Sequence, residues 1–165
     1  MIDLRWKVYG VAMGLFALDR LTKWIIEARV SFIDSHKVIP GFFEIVHSEN
    51  RGVAFGIFND STSEWRTTLL VVASLAAVVL VSIMLWNAQR LSKFSRWGFA
   101  LILGGAAGNV FDRIVWGRVT DFLLFYIGRY QWPAFNVADS AITVGAALLI
   151  LEGFVHREGR ASSST

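Results

Sequence analysis

Thr67 to Trp86 reads TTLLVVASLAAVVLVSIMLW, twenty residues without a single charge. As an α-helix this stretch is about 30 Å long, the thickness of a bilayer's hydrocarbon core. It therefore decides the solvent in which the chain folds. Three further stretches meet the same length requirement: about Val8–Ile26, about Trp97–Trp116 and about Asn136–Val155. The second and fourth of the four are clean apolar runs. The first and third carry polar residues and are marginal by hydropathy alone.

Composition agrees with a membrane class. The 165 residues are 55% hydrophobic and 18% charged, where a soluble domain carries about 25% charged residues. The sequence thus predicts an integral membrane protein, mainly α, with four transmembrane helices. One domain over residues 1–165 is expected, because no linker-like stretch interrupts the chain. The absence of cysteine excludes disulfides, thiolate metal sites and a cysteine nucleophile. A net charge of +3 does not point to nucleic acid. Arg5 and Lys7 followed by an apolar run imitate a signal peptide, but Asp19, Arg20 and Lys23 interrupt that run, so a retained helix is expected.

Basic residues in short loops set orientation. Arg5 and Lys7 precede the first helix, Arg90, Lys93 and Arg96 join the second and third, and Arg157 and Arg160 follow the fourth. With four crossings all three clusters share one side, expected to be cytoplasmic, with both termini there. The segments of about 27–66 and 117–135 are then extracytoplasmic. Pro40–Gly41 signals a turn, and FFEIVHS (42–48) and VAFGIF (53–58) have strand composition, so a small β platform and an outer loop are expected on the outer surface. Trp116, Tyr126, Tyr130 and Trp132 read as an interfacial aromatic belt or as substrate contacts. The tail from about 158 to 165 reads as disordered.

Two aspartates carry the chemistry. Asp121 in VTDF falls just past the third helix and Asp139 in FNVADS in the first turn of the fourth, at one membrane level. Carboxylates beside hydrocarbon are costly and seldom accidental. Two close together cannot both ionise easily, so one keeps a proton. The ionised member then takes a proton from water and the protonated member donates one, which is peptide hydrolysis without a covalent intermediate. Helix capping is the competing reading for Asp139. Asp19 and Lys23, four apart, share a helix face and read either as a structural ion pair or as substrate binders. In LILGGAAGNVFDR, Gly104 and Gly108 permit close helix packing. Asn109 and Arg113 share a face and read as lining a polar cavity, and Asp112 reads as a structural acceptor. His36, His47 and His156 are scattered without metal-ligand spacing, and no metal or cofactor is expected. Ser140 has no base poised for it.

Five blocks, DRLTK, NRGVAF, GGAAGNVFDR, GRVTDF and FNVADS, occur in the order found in lipoprotein signal peptidase (signal peptidase II), and the chain resembles that family over nearly its whole length. Val53 stands where alanine is common. The resemblance implies an aspartic endopeptidase of the bacterial cytoplasmic membrane that removes signal peptides from prolipoproteins, cutting before a diacylglyceryl-modified cysteine. It implies Asp121 and Asp139 as catalytic. It implies Asn50, Asn109, Arg113 and Asn136, with Asp19 and Lys23, as substrate-binding residues; Asp112 is a motif residue too, assigned with Gly108 to support rather than catalysis because Asp121 is nearer the outer surface. Prolipoprotein and membrane lipid are the expected partners, and a monomer is expected. The alternatives are a proton-coupled transporter subunit, which would place acids nearer the bilayer midplane and show internal repeats, and a non-enzymatic scaffold.

Overall fold

The computed structural model describes residues 3–51 and 64–161. Helix α1 spans Leu4–Arg29, α2 Glu64–Trp86, α3 Lys93–Trp116 and α4 Val137–Ala161. Strands β1 (Ser35–Ile39), β2 (Phe43–Asn50), β3 (Val119–Ile127) and β4 (Tyr130–Gln131) form one antiparallel sheet in sequence order. The fold is a mainly helical membrane protein of four helices with a small four-stranded sheet. Among the described residues three helices, α2, α3 and α4, are long and apolar enough to cross a bilayer by length and composition. Helix α1 has the length but carries Asp19, Arg20 and Lys23 in mid-course. Its apolar deficit is offset by burial of Asp19 and Lys23 inside the bundle.

Helix α3 is the central post. Its glycines make it thin on two faces. A Cβ on Gly104 would meet the Ala12 carbonyl oxygen of α1 at 2.6 Å, and one on Gly105 would meet the Ala138 carbonyl oxygen of α4 at 2.5 Å. A Cβ on Gly108 would overlap the Asp19 carboxylate. Small residues at helical spacing thus let α1 and α4 approach α3 backbone to backbone, where dispersion and interhelical polar contacts replace the missing hydrophobic drive. The outward faces stay apolar: Leu69, Val72, Leu80 and Ile83 on α2 and Val144, Ile150 and Phe154 on α4 are exposed, as lipid requires.

One end of the bundle gathers basic residues. Asp3 caps α1, accepts from Gln89 at 3.0 Å and pairs with Arg5, whose guanidinium lies 4.8 Å over the Trp86 ring. Ser92 caps α3 by accepting from the Ser95 amide at 3.1 Å, and the Ser95 hydroxyl donates to Glu152 of α4. The sheet sits at the opposite end. Helix α3 stops there at Gly117, whose left-handed backbone (φ 67°) is the glycine-favouring form of a helix C-cap.

Several boundaries differ from the sequence reading. Each helix is longer at one or both ends than its apolar run, because polar terminal turns are capped and solvated rather than read by hydropathy. Helix α4 runs to Ala161, through the first residues of the tail expected to be disordered; residues 162–165 and the VAFGIF stretch lie outside the described residues. Residues 117–135, expected as an aromatic outer loop, contain the buried strand β3. Asp121 is therefore not at a helix end: it is the third residue of that strand. The alternation signal was hidden because VTDFLLF is buried on both faces.

Candidate active site

Strand β3 and the start of α4 are sewn together by main-chain bonds. Phe122 and Leu123 amides donate to the Phe135 carbonyl at 3.0 and 2.8 Å, and the Phe135 amide returns to Leu123 at 3.1 Å. This brings Asn136, the cap of α4, beside Asp121. The cap is reciprocal: the Asp139 amide donates to Asn136 Oδ1 at 3.0 Å, and the Asn136 amide donates to Asp139 Oδ2 at 3.3 Å. This is the geometry of a capping box with an aspartate as its acidic member. Asp139 thus does cap its helix, as one reading of the sequence had it, and it also faces a cavity.

That cavity holds about 500 Å³. Asn50, Arg113, Asp121, Asp139, Ser140 and Thr143 are its polar lining; Trp132, Pro133, Phe135, Ile142 and Val144 are among its apolar lining. Antiparallel pairing sets Ser48 opposite Asp121, so Asn50, two residues on, shares that sheet face and donates to Asp121 Oδ2 at 3.1 Å. Asn136 Nδ2 donates to Asp121 Oδ1 at 2.7 Å. Asn109 Nδ2 donates to Asp139 Oδ1 at 2.7 Å. The Asp121 carboxyl is pushed up to about 7, first by burial and then by the charge of Asp139, against the opposing pull of its two asparagine donors.

Four residues expected to bind substrate do not line this cavity. Asp19, Lys23 and Asn136 are fully buried, and Asn109 nearly so. They form a layer beneath the cavity. The Lys23 ammonium donates to Asp19 at 2.7 Å, Asp112 at 2.6 Å and Asn109 Oδ1 at 3.0 Å. Asp112 also pairs with Arg20, and Asp19 accepts the Ala138 amide at 3.0 Å. Buried charges of both signs are thereby matched on α1 and α3, the arrangement that keeps ions tolerable in a dry interior. Sequence spacing showed that Asp19 and Lys23 share a face; it did not show that this face turns inward, toward α3.

Sequence reading gave Arg20 no partner and Thr120 no role. Arg20 closes the ion cluster on Asp112, and its guanidinium lies 5.4 Å over Phe111. A charged residue inside an apolar helix was itself the signal that a partner had to exist. Thr120, on the other face of β3 from Asp121, donates to Glu27 at 2.7 Å and fixes the strand to the end of α1. Of the aromatic set, Trp132 lines the cavity, while Trp116 and Tyr130 are exposed and do not line it. The Ser140 hydroxyl also lines the cavity but donates to the Asn136 carbonyl at 2.9 Å.

Two carboxyl groups in one cavity at the end of a membrane helix bundle, one of them raised toward neutrality, are the make-up of a membrane-embedded aspartic peptidase. The family model for signal peptidase (SPase) II matches residues 11–155. The lipoprotein signal peptidase of Solibacter usitatus is 67% identical over 152 residues, covering 92% of this chain and 93% of that protein. That of Nitratidesulfovibrio vulgaris is 44% identical over 149 residues, covering 90% of each. A solved structure described as a bacterial membrane enzyme, determined by the in meso method at 2.3 Å resolution, superposes with a TM-score of 0.82 at 28% identity, covering 93% of this chain and 90% of that one. The chain belongs to the signal peptidase II family, multi-pass membrane aspartic peptidases that process lipoproteins. Membership sets aside the transporter and scaffold readings.

Proposed function

We propose that the chain removes the signal peptide from prolipoproteins whose cysteine carries a diacylglyceryl group, with Asp121 and Asp139 activating the water. One observation carries this reading: both carboxyls line a single cavity that has an apolar wall, formed by Trp132 to Phe135 and by Ile142 and Val144 of α4. A signal peptide is itself an apolar helix and reaches such a wall sideways through lipid. Its acyl chains stay in the bilayer and fix the scissile bond at the rim.

One carboxylate takes a proton from water as the oxygen adds to the scissile carbonyl carbon, and the other carboxyl donates its proton to the carbonyl oxygen. Collapse of the resulting gem-diol breaks the C–N bond. The proton first taken from water goes to the leaving amine while one gem-diol hydroxyl gives its proton back to the other carboxylate, so the product acid leaves and the dyad returns to a single shared proton. Arg113, lining the same cavity, holds substrate carbonyls by its fixed fork of donors, and Asn50 orients Asp121. The buried layer of Asp19, Lys23, Asn109, Asp112 and Asn136 positions the pair, and Gly108 makes room for Asp19. The basic end of the bundle faces the cytoplasm with both termini, and the sheet end faces outward, because lysine and arginine are retained inside. The form proposed is a monomer in the cytoplasmic membrane of a bacterium.

The test is cleavage of a diacylglyceryl-modified prolipoprotein by the purified chain in lipid, comparing wild type with Asp121→Asn and Asp139→Asn. Loss of turnover in both folded variants is expected. Turnover surviving in either would remove that residue from the chemistry.

A further inference from the structure

Helices α3 and α4 end at different levels. A Cβ on Gly105 would meet the Ala138 carbonyl oxygen, and one on Gly98 would meet that of Gly145. The step is the same on each helix (98 to 105, 138 to 145), so the two run side by side and antiparallel. Ala138 is the second residue of α4, whereas α3 runs on from Gly105 to Trp116. At about 1.5 Å per residue, α3 therefore reaches about 16 Å beyond the start of α4. Strand β3 joins the two levels. It begins at Val119, just past the α3 cap Gly117, and by Leu123 it is bonded to Phe135 at the start of α4. From Val119 to Leu123 the strand thus turns back toward the bilayer. Residues 124–127 carry it about 13 Å farther.

The far end of the sheet is apolar. Phe43 pairs with both Ile39 and Phe125, the Tyr126 amide donates to the Phe42 carbonyl at 2.8 Å, and Ile127 pairs with Tyr130. The β1–β2 and β3–β4 turns therefore lie side by side. They expose Ile39 (50%), Phe42 (47%), Ile127 (67%) and Tyr130 (60%). Lys37 and Arg129 are exposed there too, long cations able to reach lipid phosphates from an apolar surface. The tip is firm: Phe125 stacks on Phe43 and Phe135 at 4.6 and 5.8 Å and meets Phe42 edge-on at 5.4 Å. Phe135 also lines the cavity, so the tip and the aspartate site belong to one packed piece.

We propose that the two hairpin tips are a second membrane anchor: Ile39, Phe42, Ile127 and Tyr130 dip into the lipid leaflet at the sheet end of the bundle. Lipid is the occupant because β3 delivers the tips to bilayer level, where lipid already covers the exposed apolar faces of α2 and α4. Apolar residues flanked by aromatic and basic side chains are also the make-up of an interfacial segment. Both ends of β3 are then held, one by α3 and one by lipid, which fixes the depth of Asp121 between them. The anchor goes beyond the two-aspartate reading and does not need it.

The chain has no cysteine, so single labels can be placed directly. Ile39→Cys and Ile127→Cys of the full chain, each carrying a nitroxide, are reconstituted in vesicles of phosphatidylethanolamine and phosphatidylglycerol. Val72→Cys on the exposed apolar face of α2 is the lipid reference, and Asp34→Cys, exposed between α1 and β1, the water reference. Collisions with oxygen, which concentrates in lipid, are compared with collisions with a nickel chelate, which stays in water. Both tip labels are expected to follow Val72, about 5–10 Å into the boundary between headgroups and acyl chains. Labels reached by the nickel chelate as readily as Asp34 would overturn the proposal, since the tips would stand in water. Labels reached by neither collider would overturn it too, because protein would then cover the tips. Spin–spin broadening that disappears on dilution with unlabelled chain would identify that cover as a second copy; its absence would point to residues 52–63. Depth is read without substrate, so its outcome stands apart from that of Asp121→Asn and Asp139→Asn.

Discussion

Gly105→Ala would act on the chemistry from a position that does not itself line the cavity. A Cβ at this position of α3 would stand 2.5 Å from the Ala138 carbonyl oxygen, where ordinary contact begins near 3.4 Å. The overlap is about 0.9 Å, and the obstacle is backbone, so the helices must part. Ala138 immediately precedes Asp139. If α4 takes the full displacement, the 2.7 Å bond from Asn109 to Asp139 lengthens to about 3.6 Å and is lost. If half is absorbed elsewhere it still stretches to about 3.2 Å. A misplacement approaching 1 Å costs about 100-fold in rate, with about 1–3 kcal/mol of overpacking. Gly145→Ala supplies the control. Its Cβ would meet the Gly98 carbonyl oxygen at 2.6 Å, nearly the same overlap between the same two helices. It lies six residues farther along α4, about 9 Å from Asp139. Steady-state cleavage of the lipid-modified substrate, with thermal unfolding measured on the same samples, compares them. Similar losses of stability are expected, with the large loss of kcat confined to Gly105→Ala. A folded Gly105→Ala with wild-type kcat, or an equal loss of kcat in Gly145→Ala, would refute the link between the α3–α4 contact and the aspartate geometry.

Other expectations follow from the same contacts. Asp121→Asn should unfold at a higher temperature than wild type at pH 8 and at nearly the same temperature at about pH 4. The folded chain keeps the Asp121 proton up to about 7 while the unfolded chain releases it in the ordinary carboxylate range, so this group's ionisation lowers stability progressively as pH rises between those limits. An unchanged melting temperature across that window would show that burial does not perturb Asp121. Asp112→Asn removes a charged partner shared by Lys23 and Arg20 and should destabilise the fold by about 3–5 kcal/mol, read from denaturation in detergent; a loss below about 1 kcal/mol would mean that water reaches the cluster. Arg113→Met should raise KM about tenfold or more with a smaller change in kcat, since Arg113 lines the cavity; a pure kcat loss would make it part of the chemistry instead.

Much of the site was legible because polar residues are conspicuous in hydrocarbon. Asp19, Lys23, Asn109, Asp112 and Arg113 each announced a need for partners by sitting in an apolar helix. The glycines of α3 announced close packing, though Gly98, Gly105 and Gly145 were as important as the Gly104–Gly108 pair. The strand around Asp121 was less legible, because a strand buried on both faces loses its alternation.

By itself, then, the sequence determined the solvent, the number of long helices and the residues that had to be paired, since length, hydropathy and the cost of an unpaired charge are local quantities. Tertiary structure decided which polar residues meet the cavity and which lie beneath it. Asp121 reaches Asp139 through strand pairing with Phe135, and Asp19 and Lys23 turn inward because the glycines of α3 let α1 approach. Those outcomes depend on how separate segments pack, and no periodicity within one segment records the face that its neighbour will present.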